Sequence, residues 1–431
     1  MLFADIDYLD SDFAIQHGYV GVTNGRVSYI GAQEPADADS YGQRYSGRDR
    51  LLMPGLYNIH AHAAMTLLRG YAENLRLQEW LEEQVFPFEA KITPEAAYSA
   101  TALAIAEMLR FGVVSMSDMY YFTEERIRAV VDSGFKANIC PALMVFDEAT
   151  HYQDMPERAS NEHYARQFHG AEDGRLRIDL NIHSEYISNP NVVRAVGEHA
   201  AELGVGTHIH LSETLREHEE CKQRRGGLTP AAYFQSLGFF NQPCTAAHCV
   251  YTEPADWQIL AKNGVTVAAN PASNFKLGSG FAPIPQMLAA GVAVGLGTDG
   301  MASNNNHNMF KDLYLLATVY KAASGDPTVV TPAEALAAAT IRGAVAQGRP
   351  DCGRIALGQR ADLVALNTGV PWMQPVSSQL NNLVFSAQGS DVVLTMVDGQ
   401  VLYKDGEYTT IDIELIMAAT QKARDRIVSE L

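Results

Sequence analysis

The sequence predicts an α/β fold: a TIM-type (β/α)8 barrel with a small β-sandwich domain formed from both chain termini. Three observations carry this reading. A helix, a glycine and a short apolar run recur along the middle of the chain, and eight such apolar runs can be counted. No Gly-rich phosphate loop follows the first run, which argues against an open doubly wound sheet. The two ends of the chain alternate like hairpins instead.

The first hairpin is "YVGVTNGRVSYIG", with Asn24-Gly25 as its turn. The first barrel strand is expected at 57–62, inside "PGLYNIHAHAAMTLLRG". The helix "TPEAAYSATALAIAEMLRFG" opens on Thr93 as N-cap with Pro94 at the first helical position, and Gly112 ends it. The unit then repeats: "TEERIRAVVDSG" before "FKANICPAL", "NPNVVRAVGEHAAELG" before "VGTHIH", "EPADWQILAKNG" before "VTVAAN", and "PIPQMLAAG" before "VAVGLG". The remaining strands are expected at 113–117, 136–143, 177–182, 205–210, 244–249, 265–269 and 292–297. Short solid apolar runs are what strands covered on both faces look like. A helix with a capping box (Thr331, Pro332, Glu334) follows the barrel, and "VVLTMVDGQVLYKDGEY" forms a second hairpin around Asp398-Gly399. The expected division is residues 1–55 and 355–431 in the β domain and 56–354 in the barrel.

Composition narrows the function. Fifty acidic against 32 basic residues give a net charge of −18, which repels a phosphate backbone and excludes nucleic acid as a partner. Five cysteines without regular spacing suit reduced thiols in a cytoplasm. The acidic start "MLFADIDYLDSDF" is unlike a signal peptide, and no run of about 18 apolar residues suggests a membrane span.

In a parallel barrel, chemistry sits where the strands end. His60 and His62 end the first strand, and their i, i+2 spacing turns both rings to one face. His183 ends the fourth strand. His210 ends the fifth, with Glu213 three residues on, His248 ends the sixth, and Asp299 follows the eighth in "GLGTDG". Each alone has a plain structural reading: a hydrogen-bonded histidine, a helix cap at Glu213, a turn before Gly300. Together, three imidazoles and a carboxylate suit one Zn²⁺, with Fe²⁺ or Mn²⁺ as alternatives. Such an ion lowers the pKa of a bound water from near 16 to roughly 7. Asp299 is then the expected proton acceptor, Glu213 the proton donor to substrate, and His248 the group at the attacked centre. His208 alternates with His210 and shares its face. The fourth strand, "RIDLNIHSEY", ends without a lysine to bridge two metals, so one ion per subunit is expected.

These residues resemble the amidohydrolase superfamily. "PGLYNIHAHAAMTLLRG", "HIHLSET", "AAHCV", "NPASNFKLGSG", "GTDGMASNNN" and "GRIALGQRADLVAL" look like motifs of its deaminase and chlorohydrolase branch, above all of the 5′-methylthioadenosine/S-adenosylhomocysteine deaminases. The resemblance implies that His60, His62, His210 and Asp299 bind zinc and that Glu213 and His248 act on the substrate. It implies that Glu89 holds ribose hydroxyls, that His183 contacts the nucleoside, and that Arg158 meets a homocysteine carboxylate. Glu185 stands where relatives often carry a small or neutral residue, and is expected near the mouth. The implied reaction is hydrolytic deamination of an adenine-type nucleoside by a homo-oligomer, a dimer or tetramer. The alternatives are an amino- or chlorohydrolase of triazines such as melamine, a guanine or pterin deaminase, and a non-catalytic metal- or nucleoside-binding barrel.

Overall fold

The computed structural model describes residues 1–71, 73–75 and 77–431. Eight parallel strands follow one another around a barrel: Leu56–His62, Val113–Tyr120, Lys136–Pro141, Leu176–Ile182, Gly206–Leu211, Cys244–His248, Thr266–Ala269 and Ala293–Leu296. Closure comes from a two-residue segment just beyond the eighth strand. Asp299 and Gly300 pair in parallel with Ala61 and His62 of the first. The pairing that completes the ring therefore also brings Asp299 beside the two histidines of the first strand. The second, third, sixth and seventh strands are buried at every position, as their apolar runs require.

Local chemistry fixes the helices between strands. The Thr93 hydroxyl accepts from the Ala96 amide at 3.3 Å, Pro94 opens the helix Pro94–Arg110, and Gly112 leaves it at φ 76°. Glu334 and Thr331 form the expected reciprocal cap. Gly55 joins the first barrel strand to the strand before it. A Cβ there would lie 2.3 Å from a Val114 methyl, so only glycine lets the two layers meet.

The two termini share one continuous mixed sheet. Arg50–Pro54 pairs antiparallel with Leu363–Asn367, which joins the N-terminal strands to the C-terminal ones. The outer hairpins turn at Asn24-Gly25 and Asp398-Gly399, with positive φ at all four residues, as a type I′ turn demands. Residues Ile413–Ser429, within the span expected for the β domain, form a helix instead. It lies against the barrel helix Pro94–Arg110, Ile427 is buried with Ala96, Ala97 and Ala100, and Arg426 donates to the Lys91 carbonyl. The five cysteines are all buried and free. No helix among the described residues is long and apolar enough to cross a membrane.

Candidate active site

Three histidines converge at the C-terminal end of the barrel, each held from behind. His62 Nδ1 lies 2.5 Å from the Met119 carbonyl and His210 Nδ1 lies 2.8 Å from the His183 carbonyl. A carbonyl only accepts, so both Nδ1 atoms carry the proton and both Nε2 atoms present a lone pair to the centre. Behind His60 stands another imidazole: His60 Nδ1 is 2.9 Å from His208 Nε2, both side chains fully inside the barrel. Burial holds the His60 imidazole down at about 4 and His210 well below the usual range, so both are neutral.

The facing atoms form a cluster with the dimensions of a coordination shell. Asp299 Oδ1 is 3.3 Å from His60 Nε2 and 3.1 Å from His62 Nε2, and His62 Nε2 is 3.3 Å from His210 Nε2. Ligands about 2.0–2.1 Å from a tetrahedral zinc stand about 3.3 Å apart, so these edges fit such an ion. His60 Nε2 is buried without a hydrogen-bond partner, and a cation here would occupy its lone pair. Ser273 and Ser303 donate to the other Asp299 oxygen at 2.5 and 3.0 Å, which turns Oδ1 toward the histidines. Burial would raise the Asp299 pKa, but the imidazoles of His60, His62 and His248 around it outweigh burial and hold the carboxyl well below its usual range. Asp299 and His248 both adopt left-handed backbone, at φ 62° and 71°. Conformations of this kind cost about 1–3 kcal/mol and concentrate at functional sites.

Glu213 and His248 face each other beside this cluster, with Glu213 Oε2 3.8 Å from His248 Nε2. His248 Nδ1 donates to Asn274 Oδ1 at 2.8 Å, which leaves Nε2 for the cavity. Ser279 reaches Glu213 Oε1 at 3.4 Å, and burial pushes the Glu213 carboxyl up. The turn that presents Glu213 is clamped by Glu217, whose two oxygens accept from the Ser212 and Glu213 amides at 3.0 and 2.8 Å. The helix cap is Thr214, not Glu213.

A cavity of about 740 Å³, counted out to its open mouth, joins these groups to Glu89 and His183. The Tyr120 hydroxyl donates to Glu89 Oε1 at 2.6 Å, and burial raises the Glu89 carboxyl to about 7. The His183 ring packs on His210 at 4.6 Å between centroids. Two expectations need correction. Arg158 is not brought to the cavity: it is partly exposed on the helix Pro156–Phe168 and its nearest acid is Glu162, one turn on, at 3.9 Å. Glu185 is fully buried and does not line the cavity, because Arg224 and Arg225 hold its two oxygens at 2.6 and 2.7 Å. The guanidinium pair neutralises it and turns it away from the mouth.

The sequence reading missed several supporting residues. Arg126, wholly buried, donates to Asp118 Oδ2 at 2.9 Å and to the carbonyls of Tyr120, Tyr121 and Cys140. Asp118 in turn accepts from the Ala63 amide at 2.7 Å, directly after His62. This pair locks the ends of the first and second strands together. His208, singled out only for sharing a face with His210, proves to back His60 instead.

Comparison with known proteins agrees with this geometry. The amidohydrolase family matches residues 51–402. A 5-methylthioadenosine/S-adenosylhomocysteine deaminase of Dictyoglomus thermophilum is 38% identical over 430 residues, covering 100% of this chain and 99% of its own. A 5′-deoxyadenosine deaminase of Methanosarcina mazei is 36% identical, covering 97% and 95%. Among solved structures, an adenosine deaminase from Xanthomonas campestris with bound zinc superposes with a TM-score of 0.93 at 31% identity, covering 99% and 98%. By the family match and these full-length likenesses, the chain belongs to the amidohydrolase family.

Proposed function

We propose that the protein is a metal-dependent aminohydrolase of adenine-type nucleosides, taking 5′-methylthioadenosine, S-adenosylhomocysteine or adenosine to the inosine-type product and ammonia. One observation carries this: a single cavity joins the His60–His62–His210–Asp299 cluster, the Glu213–His248 pair and the Tyr120-anchored Glu89. This arrangement supports chemistry on a ring at Glu213 and His248 with a ribose held at Glu89. The likeness to deaminases of 5-methylthioadenosine, 5′-deoxyadenosine and adenosine supports the same substrate class.

His60, His62, His210 and Asp299 would hold one zinc ion, although the same donors accept Fe²⁺ or Mn²⁺. When bound, the ion makes a water molecule acidic enough to supply a nucleophile near neutral pH. The chain's own residues do the rest. His248, its tautomer set by Asn274, accepts from the attacking water and orients it. Glu213 gives a proton to the ring nitrogen beside the amino-bearing carbon, so that this carbon accepts the water's oxygen. Asp299 takes the water's proton and passes it to the amino nitrogen, which leaves as ammonia. The proton on the new hydroxyl returns to Glu213 as the carbonyl forms. Glu89 accepts from the ribose hydroxyls and fixes the ring's position. Ammonia release by the metal-loaded protein tests the assignment. Turnover is expected with 5′-methylthioadenosine and adenosine; turnover confined to melamine, guanine or a pterin would overturn it.

His208 enters as a positioning residue. For His60 Nε2 to bind a cation, His60 must donate its Nδ1 proton to His208 Nε2. His208→Ala removes that acceptor, and zinc affinity is expected to fall about 10–100-fold. His208→Gln, which keeps an acceptor oxygen, recovers part of it. Competition with a chromophoric chelator measures both.

A further inference from the structure

The substrate cavity does not end at Glu89. Four of its residues, Phe86, Glu89, Tyr121 and Met144, also line a second hollow that opens onto the surface. Beyond them this hollow is walled by Ile92, Phe122 and Phe146. Among the described residues Glu89 is the one carboxylate in its lining, and it is already engaged by Tyr120. Phe146 stands at the lip with 77% of its surface exposed, so an apolar group lying in the hollow would bury part of that ring.

The order of groups fixes what would lie there. With the adenine ring at Glu213 and His248 and the ribose at Glu89, the next substrate atoms are the 5′ carbon and its substituent. They would run along Phe86, Tyr121 and Met144, the side chains that wall both spaces, toward the second hollow. Among the described residues, no lysine or arginine lines either space. The next hollow along, which shares Tyr121 and Phe122 with the second hollow, carries Glu124, Glu125 and Glu157. An amino-acid group at the end of the 5′ arm would have to place both its charges against apolar walls, with no guanidinium or ammonium among the described lining residues to meet its carboxylate, and Arg158 lies beside Glu162 elsewhere. An alkyl chain meets surface it can bury.

We propose that this enzyme selects adenosines bearing a neutral apolar 5′ substituent, including alkylthio groups longer than methyl, over those whose 5′ arm ends in an amino acid. The selection is made in the hollow behind Phe86, Tyr121 and Met144 and rests on the reading of the site as a nucleoside deaminase.

The test compares kcat/KM of the zinc-loaded protein, by ammonia release, for 5′-deoxyadenosine, 5′-methylthioadenosine, 5′-butylthioadenosine and S-adenosylhomocysteine. Burying a methylene contributes up to about fourfold in kcat/KM, so the butylthio compound should exceed the methylthio one by about tenfold or more. S-adenosylhomocysteine should fall at least tenfold below the methylthio compound. Phe146→Arg, an exposed change outside the reacting centre, should lower the butylthio value and raise the S-adenosylhomocysteine value, each at least threefold. 5′-Deoxyadenosine, too short to reach Phe146, serves as the reference within each protein. Equal values for the butylthio compound and S-adenosylhomocysteine, or no response of either to Phe146→Arg, would overturn the proposal while leaving nucleoside deamination intact. Failure of every nucleoside to release ammonia would overturn both.

Discussion

Glu213→Gln is expected to lower kcat about 10³-fold while leaving zinc content and the thermal midpoint unchanged. The expectation follows from what the substitution keeps and what it removes. Glutamine matches the shape of the side chain, and its Oε1 still accepts from Ser279. The clamp from Glu217 is made to backbone amides, so it does not depend on the residue 213 side chain. His60, His62, His210 and Asp299 are untouched. What is lost is the carboxyl that faces His248 beside the cluster and that can give a proton. An aromatic amine leaves only after the ring gains a proton, and a positioned general acid contributes about 10²–10⁴-fold to such a step. Metal analysis, differential scanning calorimetry and steady-state ammonia release on the same preparation separate the outcomes. A variant that retains zinc and turns over within threefold of the parent would remove Glu213 from the mechanism.

Much of the barrel was legible because its signals are local. A strand covered on both faces has to be a short solid apolar run, and a helix that returns the chain ends where a glycine can turn left-handed. Each of the eight strands therefore lies within about three residues of its expected ends. The Asn24-Gly25 and Asp398-Gly399 turns are likewise dictated by residues in the turn itself. The His60–His62 face could be read because alternate strand residues point the same way. What could not be read depends on partners distant in sequence. Glu185 looks like a free carboxylate until Arg224 and Arg225, 39 and 40 positions on, are brought to it. His208 backs a histidine 148 positions away. Arg126 sits on an ordinary amphipathic helix, and nothing in that pattern reveals that it reaches inward to Asp118. The terminal helix is the opposite case. Asp412 caps it, and its apolar residues recur at helical spacing, but two preceding hairpins set the expectation of more strand.

Lys136→Met is expected to cost about 3–5 kcal/mol of stability, although the residue lies far from the reacting groups. Lys136 begins the third barrel strand, and its ammonium is buried between Asp362, at 2.6 and 2.5 Å, and Asp398, at 2.7 Å. Tyr57 of the first strand donates to the same Asp362, and the Asp398 amide donates to it at 2.9 Å. One cation thus joins the barrel to the strand Leu363–Asn367 and to the hairpin after it. Methionine fills similar volume but leaves Asp362 buried and charged without a counterion. Burial alone would push Asp362 up and Lys136 down; the pair reverses both, so Asp362 lies below the usual carboxylate range and Lys136 above the usual amine range. The signs then follow. The contribution of Asp362 is complete above its unfolded pKa of about 3.9 and is lost as pH falls through the lower folded value. That of Lys136 is complete below about 10.4 and is lost as pH rises through the higher folded value. In Lys136→Met, Asp362 keeps the hydrogen bonds from Tyr57 and the Asp398 amide but loses its cation, so its carboxyl moves up and acid, by neutralising it, relieves the variant. Urea unfolding from pH 3 to pH 8 should show the gap between parent and variant widest near neutrality and narrowing toward pH 3. Lys136→Met combined with Asp362→Leu should recover more than half of the loss, because the second change removes the stranded charge. A gap that stays constant across this range, or a double variant no better than the single one, would show that the ion pair does not hold the two layers together.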